Sequence, residues 1–143
     1  MSTNLLIGKG YSIALKSGAP KCLGNTSTLF AAWIDYNQDG KFSEDERLGN
    51  TFAAEPDKVV QLQFNVSKKA LLGPTRLRIR YTNSFPGSNT ILDPCKETDF
   101  GETEDYTVNI VTLNLSTIKP GTLQGPIRPI KPQKLKLKDR RGN

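Results

Sequence analysis

Histidine is absent from this 143-residue chain. Its absence removes imidazole general acid/base chemistry, Ser-His and Cys-His nucleophile pairs, and every metal site that needs an imidazole ligand. Cysteine is nearly absent. Cys22 and Cys95 stand 73 positions apart, which excludes a CxxC redox or zinc spacing. In an oxidising compartment the pair would close a long loop worth about 2 to 4 kcal/mol, and in a reducing one they would be two small buried hydrophobes. Aromatics are thin, with one Trp and four Tyr, too few for a ready carbohydrate platform. No apolar run approaches the roughly 18 to 20 residues of a membrane-spanning helix, so no span is expected. Nor does a basic leader followed by an apolar core stand at the N-terminus. Either the protein stays inside, or the chain is a processed piece.

The net charge of +6 points to nucleic acid only until it is divided along the chain. Of 20 Lys and Arg and 14 Asp and Glu, eight bases and one acid fall in residues 119–143, leaving twelve bases and thirteen acids in residues 1–118. The body is therefore nearly neutral, and no nucleic-acid partner is expected for it. The stretch Lys119 to Gln133 carries four prolines, spaced so that neither a helix nor a central strand is plausible. Residues 1–118 read as one domain, and residues 119–143 as a basic, Pro- and Lys-rich arm.

What is present is a period of two. Leu77, Ile79 and Tyr81 alternate with Arg76, Arg78 and Arg80, and Val60, Leu62, Phe64 and Val66 alternate with Gln61, Gln63 and Asn65. Both segments read as strands with one wet face. Further strands are expected at Tyr11–Lys16, Leu29–Asp35 and Tyr106–Leu113, with turn-formers between them, including Gly73-Pro74 and Asp93-Pro94. Only Ser67–Leu72 shows helical tendency, over about one turn. The expected fold is all-β, an antiparallel β-sandwich of jelly-roll type with a C-terminal arm.

One segment carries chemistry. Asp35-Tyr36-Asn37-Gln38-Asp39-Gly40, with Glu46 six places further on, fits the calcium-loop spacing D-x-N-x-D-G-x5-E. Side-chain oxygens of Asp35, Asn37 and Asp39, the Lys41 carbonyl, the Ser43 hydroxyl or a water it holds, and both oxygens of Glu46 supply the six to eight oxygens calcium takes. Gly40 permits the sharp reversal, and Phe42 would anchor the loop to the core. A strand before the loop, and no amphipathic helix after it, set it apart from a helical EF-hand. The plain alternative is a polar hairpin turn.

A second acidic cluster runs from Asp99 through Glu102 and Glu104 to Asp105. Either Arg76, Arg78 and Arg80 screen it across neighbouring strands, or Glu102, Glu104 and Asp105 complete the first metal shell or form another. Paired carboxylates also suit glycoside hydrolysis, but no aromatic cluster shapes a substrate site.

At these segments the chain resembles the GEVED domain family, named for a C-terminal Gly-Glu-Val-Glu-Asp motif. Here the motif reads Gly101-Glu102-Thr103-Glu104-Asp105, with threonine in place of valine. Ala32-Trp33-Ile34-Asp35 running into the acidic loop, Leu72-Gly73-Pro74-Thr75-Arg76-Leu77-Arg78, and Pro94-Cys95 complete the resemblance, which covers about residues 10–112. It implies a small, non-catalytic β-sandwich module of secreted or cell-surface bacterial proteins, binding calcium through the Asp35–Glu46 loop and the Glu102–Asp105 motif. No leader and no companion domain accompany it here. The leading expectation is an adhesive or structural module with calcium as its cofactor and a cell-surface or matrix component as its partner. The alternative is an accessory carbohydrate- or protein-binding module of a secreted multidomain hydrolase or peptidase. Leu113–Ile118 and Leu135–Leu137 are apolar enough to add to a sheet edge of a second copy, so self-assembly through residues 113–143 is expected as well.

Overall fold

The computed structural model describes residues 3–17, 27–55, 58–83, 93–97 and 101–113, and the backbone of residues 134–135. Eight strands follow in chain order: β1 (Thr3–Leu6), β2 (Gly10–Leu15), β3 (Thr28–Ile34), β4 (Arg47–Ala53), β5 (Val60–Asn65), β6 (Gly73–Asn83), β7 (Gly101–Val111) and β8 (Lys134–Leu135). The only helical turn among the described residues is a 3-10 turn at Glu44–Glu46. Two sheets form, one in the order β1-β7-β6-β3-β4 and one in the order β5-β2-β8. Every pairing is antiparallel except β1 with β7 and β2 with β8. The all-β sandwich read from the alternation is the fold found.

Alternation also decides the core. Leu62 and Phe64 of β5 are buried while Gln61 and Gln63 are exposed. From the large sheet Leu5, Phe30, Ala32, Ile34, Leu77, Ile79, Val108 and Ile110 meet Ile13 and Leu15 of the small sheet in one cluster. Full burial of such side chains is worth about 1.5 to 3 kcal/mol each. In β3 both faces are buried, as its unbroken apolar run requires of a central strand.

Several expectations give way. Ser67–Leu72 is a turn, held by the Ala70 amide on the Ser67 carbonyl at 3.2 Å, because one turn of helix cannot repay its nucleation. β7 begins at Gly101, five residues earlier than expected, so the whole acidic motif lies within it. β1 and β4 were not expected. β1 has only four residues, and Gly49 and Asn50 interrupt the strand signal of β4 at an irregularity opposite Ala32 and Trp33. The arginine face of β6 is not wet throughout. Arg80 is 4% exposed, because the Asp93–Glu97 segment lies over it. The pairing of Cys22 with Cys95 and most of the arm lie outside the described residues. Cys95 itself is exposed, not a buried hydrophobe.

Candidate functional site

The acidic loop leaves the end of β3, and β6 fixes where it starts. The Asp35 amide donates to the Arg76 carbonyl at 3.0 Å, and the Thr75 hydroxyl donates to the Asp35 carbonyl. From there the loop folds its side chains onto its own backbone. Asp35 accepts from the Asp39 amide through Oδ1 at 3.1 Å and from the Gly40 amide through Oδ2 at 3.0 Å. Asn37 Oδ1 accepts from the Asp39 amide at 3.0 Å, and Asp39 Oδ1 accepts from the Lys41 amide at 2.8 Å. Such short-range bonds are what Asx side chains make in turns. Gly40 has φ +81° with open space around its α-carbon, so glycine serves the backbone conformation alone.

Glu46 closes the ring. Its Oε1 accepts from the Asn37 amide at 3.1 Å, and its Oε2 accepts from the Ser43 amide and hydroxyl, each at 2.9 Å. The twelfth position of the loop is thereby drawn back against the third. Asp35 is 6% exposed and Glu46 4% exposed, and among the described residues no Lys or Arg forms an ion pair with either. Two buried carboxylates therefore face each other's loop with N–H and O–H donors but no positive charge. Buried charges are ordinarily paired or bound to a metal. Asp35 Oδ1, Asp35 Oδ2 and Glu46 Oε1 each accept one bond and keep a lone pair, while Glu46 Oε2 already accepts two.

The donor set fits calcium, since every candidate ligand is a hard oxygen and the ends of the loop meet. The shell is not preformed, because no three acidic side chains among the described residues stand in ligating geometry. Asp39 Oδ2 accepts from Asn37 Nδ2 at 3.1 Å instead, and Asn37, Asp39, Lys41 and Ser43 are all exposed. The buried Asp35 and Glu46 are fixed, and the exposed members are the ones that must turn inward.

The loop is also tied down on both flanks. Tyr36 is buried beside Glu46, and burial pushes its phenol up to about 12, with Glu46 adding to the rise against a hydrogen bond at Ser67. Gln38 Nε2 donates to the Leu71 and Leu72 carbonyls at 3.2 Å each. Neither Gln38 nor Thr75 carries a signal in the sequence, because each acts on a carbonyl more than 30 residues away. Phe42 packs with Trp33 and Ala31 on the outer face of the large sheet, as an anchoring residue should. Trp33 is 1% exposed, which removes it as a sugar platform.

The second acidic cluster is not brought together. β7 is extended, so Glu102 and Glu104 fall on the face of Tyr81 and Tyr106, while Asp105 falls on the other. Glu102 accepts from the Tyr81 hydroxyl, and Glu104 from the Tyr106 hydroxyl. Burial, then Glu102, raises the Tyr81 phenol above its usual range. Asp105 receives both Nε and Nη2 of Arg78, at 2.8 and 2.9 Å, with Arg76 Nε at 3.7 Å. This bidentate bond pushes the Arg78 guanidinium above its ordinary value, against burial, and Arg78 lies 4.9 Å over the Phe42 ring. So of the two readings of this cluster, the geometry gives screening by cross-strand arginines for Asp105.

Arg80, two register positions on and on the same face, donates to the Asp93 and Lys96 carbonyls and to Thr103 Oγ1, and burial pulls its pKa down. A cleft of about 360 Å³ lies between Arg78, Arg80, Thr103 and residues 94–97. Its guanidinium groups are already spent on the chain itself. The glycine of the motif has its own reason: at Gly101 φ is +150°, and an added Cβ would stand 2.0 Å from the Tyr81 carbonyl oxygen.

In comparison with known proteins, a family profile described as the GEVED domain matches residues 29–109. No curated protein and no solved structure matches the chain.

Proposed function

The chain belongs to the GEVED domain family, and from that premise we propose that it is a calcium-stabilised, non-catalytic β-sandwich module of an extracellular or cell-surface protein, with an adhesive or structural role. One observation carries the reading. Asp35 and Glu46 are buried carboxylates with no cationic partner among the described residues, set in a loop with calcium-ligand spacing. In this reading Asp35, Asn37, Asp39, Ser43 and Glu46 supply side-chain oxygens and Lys41 its carbonyl, while Asp105 stays with Arg78.

Calcium there would do structural work. It neutralises two desolvated charges and locks the β3–β4 connection, which through Phe42 and Trp33 also covers the outer face of the large sheet. Self-assembly of copies through residues 113–143 has less support, because the described part of the arm pairs with its own chain. Thermal melting in millimolar calcium and then in chelator tests the proposal. A ligand that binds only the folded state at a hundredfold excess over Kd adds about 2.7 kcal/mol. The parent should melt higher in calcium, and Asp39→Ala should melt alike in both. Identical melts for the parent would remove calcium from the account.

A further inference from the structure

Three connections close one end of the sandwich, and they are bonded to each other. Residues 7–9 join β1 to β2, and residues 66–72 join β5 to β6. The Gly8 amide donates to the Val66 carbonyl at 3.0 Å, and the Val66 amide donates to the Lys9 carbonyl at 2.9 Å. The acidic loop adjoins the second connection, since the Leu71 amide donates to the Tyr36 carbonyl at 2.9 Å. Gln38, at φ +57°, adds its two bonds to the Leu71 and Leu72 carbonyls. The backbone of residues 71–72 is thus held in place, yet both leucines remain 53% and 54% exposed.

We infer that this end is a docking surface for an anionic lipid bilayer, with Leu71 and Leu72 entering the interface and Lys9, Lys68 and Lys69 lying against the headgroups. Two observations carry it. The first is the grouping of apolar side chains. Single exposed apolar residues are ordinary, but of the five large ones exposed among the described residues, Leu71, Leu72 and Leu113 fall at this end, against Phe52 and Val59 elsewhere. Leu113 follows β7, whose Val111 carbonyl accepts from the Ile7 amide at 3.0 Å. The second is charge. Residues 7–10 and 66–72 hold Lys9, Lys68 and Lys69 and no acid. All three lysines are exposed, and no carboxylate among the described residues forms an ion pair with them. A Cβ added at Gly8 would stand 3.6 Å from the Lys68 stem, so Lys68 lies over the connection that carries Lys9.

Exposed leucines next to unpaired lysines are the two elements that peripheral bilayer binding combines. Burial at the acyl boundary and attraction to anionic headgroups add, and either one by itself holds weakly. A backbone already fixed by hydrogen bonds also lowers the ordering cost of docking. In one respect this docking rests on the calcium reading of the neighbouring loop: calcium would neutralise Asp39, an exposed acid that otherwise repels the same headgroups.

The test is co-sedimentation of the full chain with vesicles of phosphatidylcholine alone, and of phosphatidylcholine with about one-third phosphatidylserine, at ~0.15 M salt, in calcium and in chelator. The chain should bind the anionic vesicles and not the neutral ones, more tightly in calcium. Leu71→Ser/Leu72→Ser and Lys68→Gln/Lys69→Gln should each weaken binding about tenfold. Phe52→Ser, beside Leu29 at the start of β3 and so at the far end, should leave binding unchanged. All five positions are exposed, so each variant should fold, and its thermal melt checks that. No binding of the parent to anionic vesicles would overturn the bilayer. So would a loss confined to the lysine variant, which would mark attraction to any polyanion, and so would unchanged binding in both variants, which would assign it to the basic residues 119–143. Equal binding in calcium and chelator, with identical melts, would separate the bilayer from calcium and uphold it.

Discussion

Two acidic segments of similar composition meet opposite fates in this molecule. Asp35–Glu46 curls, so that Asp35 and Glu46 bond back onto the loop's own backbone and its ends touch. Gly101–Asp105 is stretched in β7, so that Asp105 points to the face opposite Glu102 and Glu104 and each acid finds a partner on β6 or in its own strand. The number of carboxylates therefore says little about metal binding. The backbone beneath them decides, because a loop concentrates charge and a strand distributes it. The first segment holds two buried carboxylates with no cationic partner among the described residues. The second has Arg78 as its cation.

The comparison can be broken most severely at Gly101. Gly101→Ala puts a methyl group into the Tyr81 carbonyl at a positive φ, and should cost about 3 kcal/mol or more in denaturant unfolding. A loss below about 1 kcal/mol would show that the strand relaxes there. Next comes Arg78→Met, which leaves Asp105 without its bidentate partner. It should cost about 2 kcal/mol, equally with calcium and with chelator. A loss seen only in calcium would mean that the strand motif shares in the cation after all.

A titration separates the loop further. Burial holds Tyr36 at about 12 in the fold, against 10.0 ordinarily, so its neutral form is favoured by folding. That contribution is complete below pH 10 and is lost as the pH rises from 10 to 12. Tyr36→Phe should flatten the alkaline fall in stability, measured by denaturant midpoint against pH. An unchanged slope would assign the fall to other phenols, such as Tyr81. The smallest effect belongs to Glu104→Gln. Glu104 is exposed and bonded to a neighbouring tyrosine, so the variant should stay within about 0.5 kcal/mol of the parent and keep its full response to calcium.

Much of this could be read from residue order. Alternation in β5 and β6 gave both strands and their inward residues, and the unbroken apolar run of β3 gave a central position. The loop was legible because its ligand spacing is local: twelve consecutive residues determine which oxygens can converge. β1 and β4 were not, since four residues make too short a signal and Gly49-Asn50 reads as a turn. The partners of Arg80 were hidden too. They are carbonyls of residues 93 and 96, which any sequence could offer there.

By itself, then, the sequence determined the period-two pattern, the near-neutral body with its basic arm, and a dozen positions with calcium-ligand spacing. These are properties of near neighbours, and short-range geometry is enough to settle them. Only the tertiary structure decided that Asp105 belongs to Arg78, that Glu104 faces away from it, that Asp35 and Glu46 are buried with no counter-charge among the described residues, and that residues 134–135 pair with β2. Each of these depends on which strand lies beside which, and that is set by burial of a shared core across the whole chain.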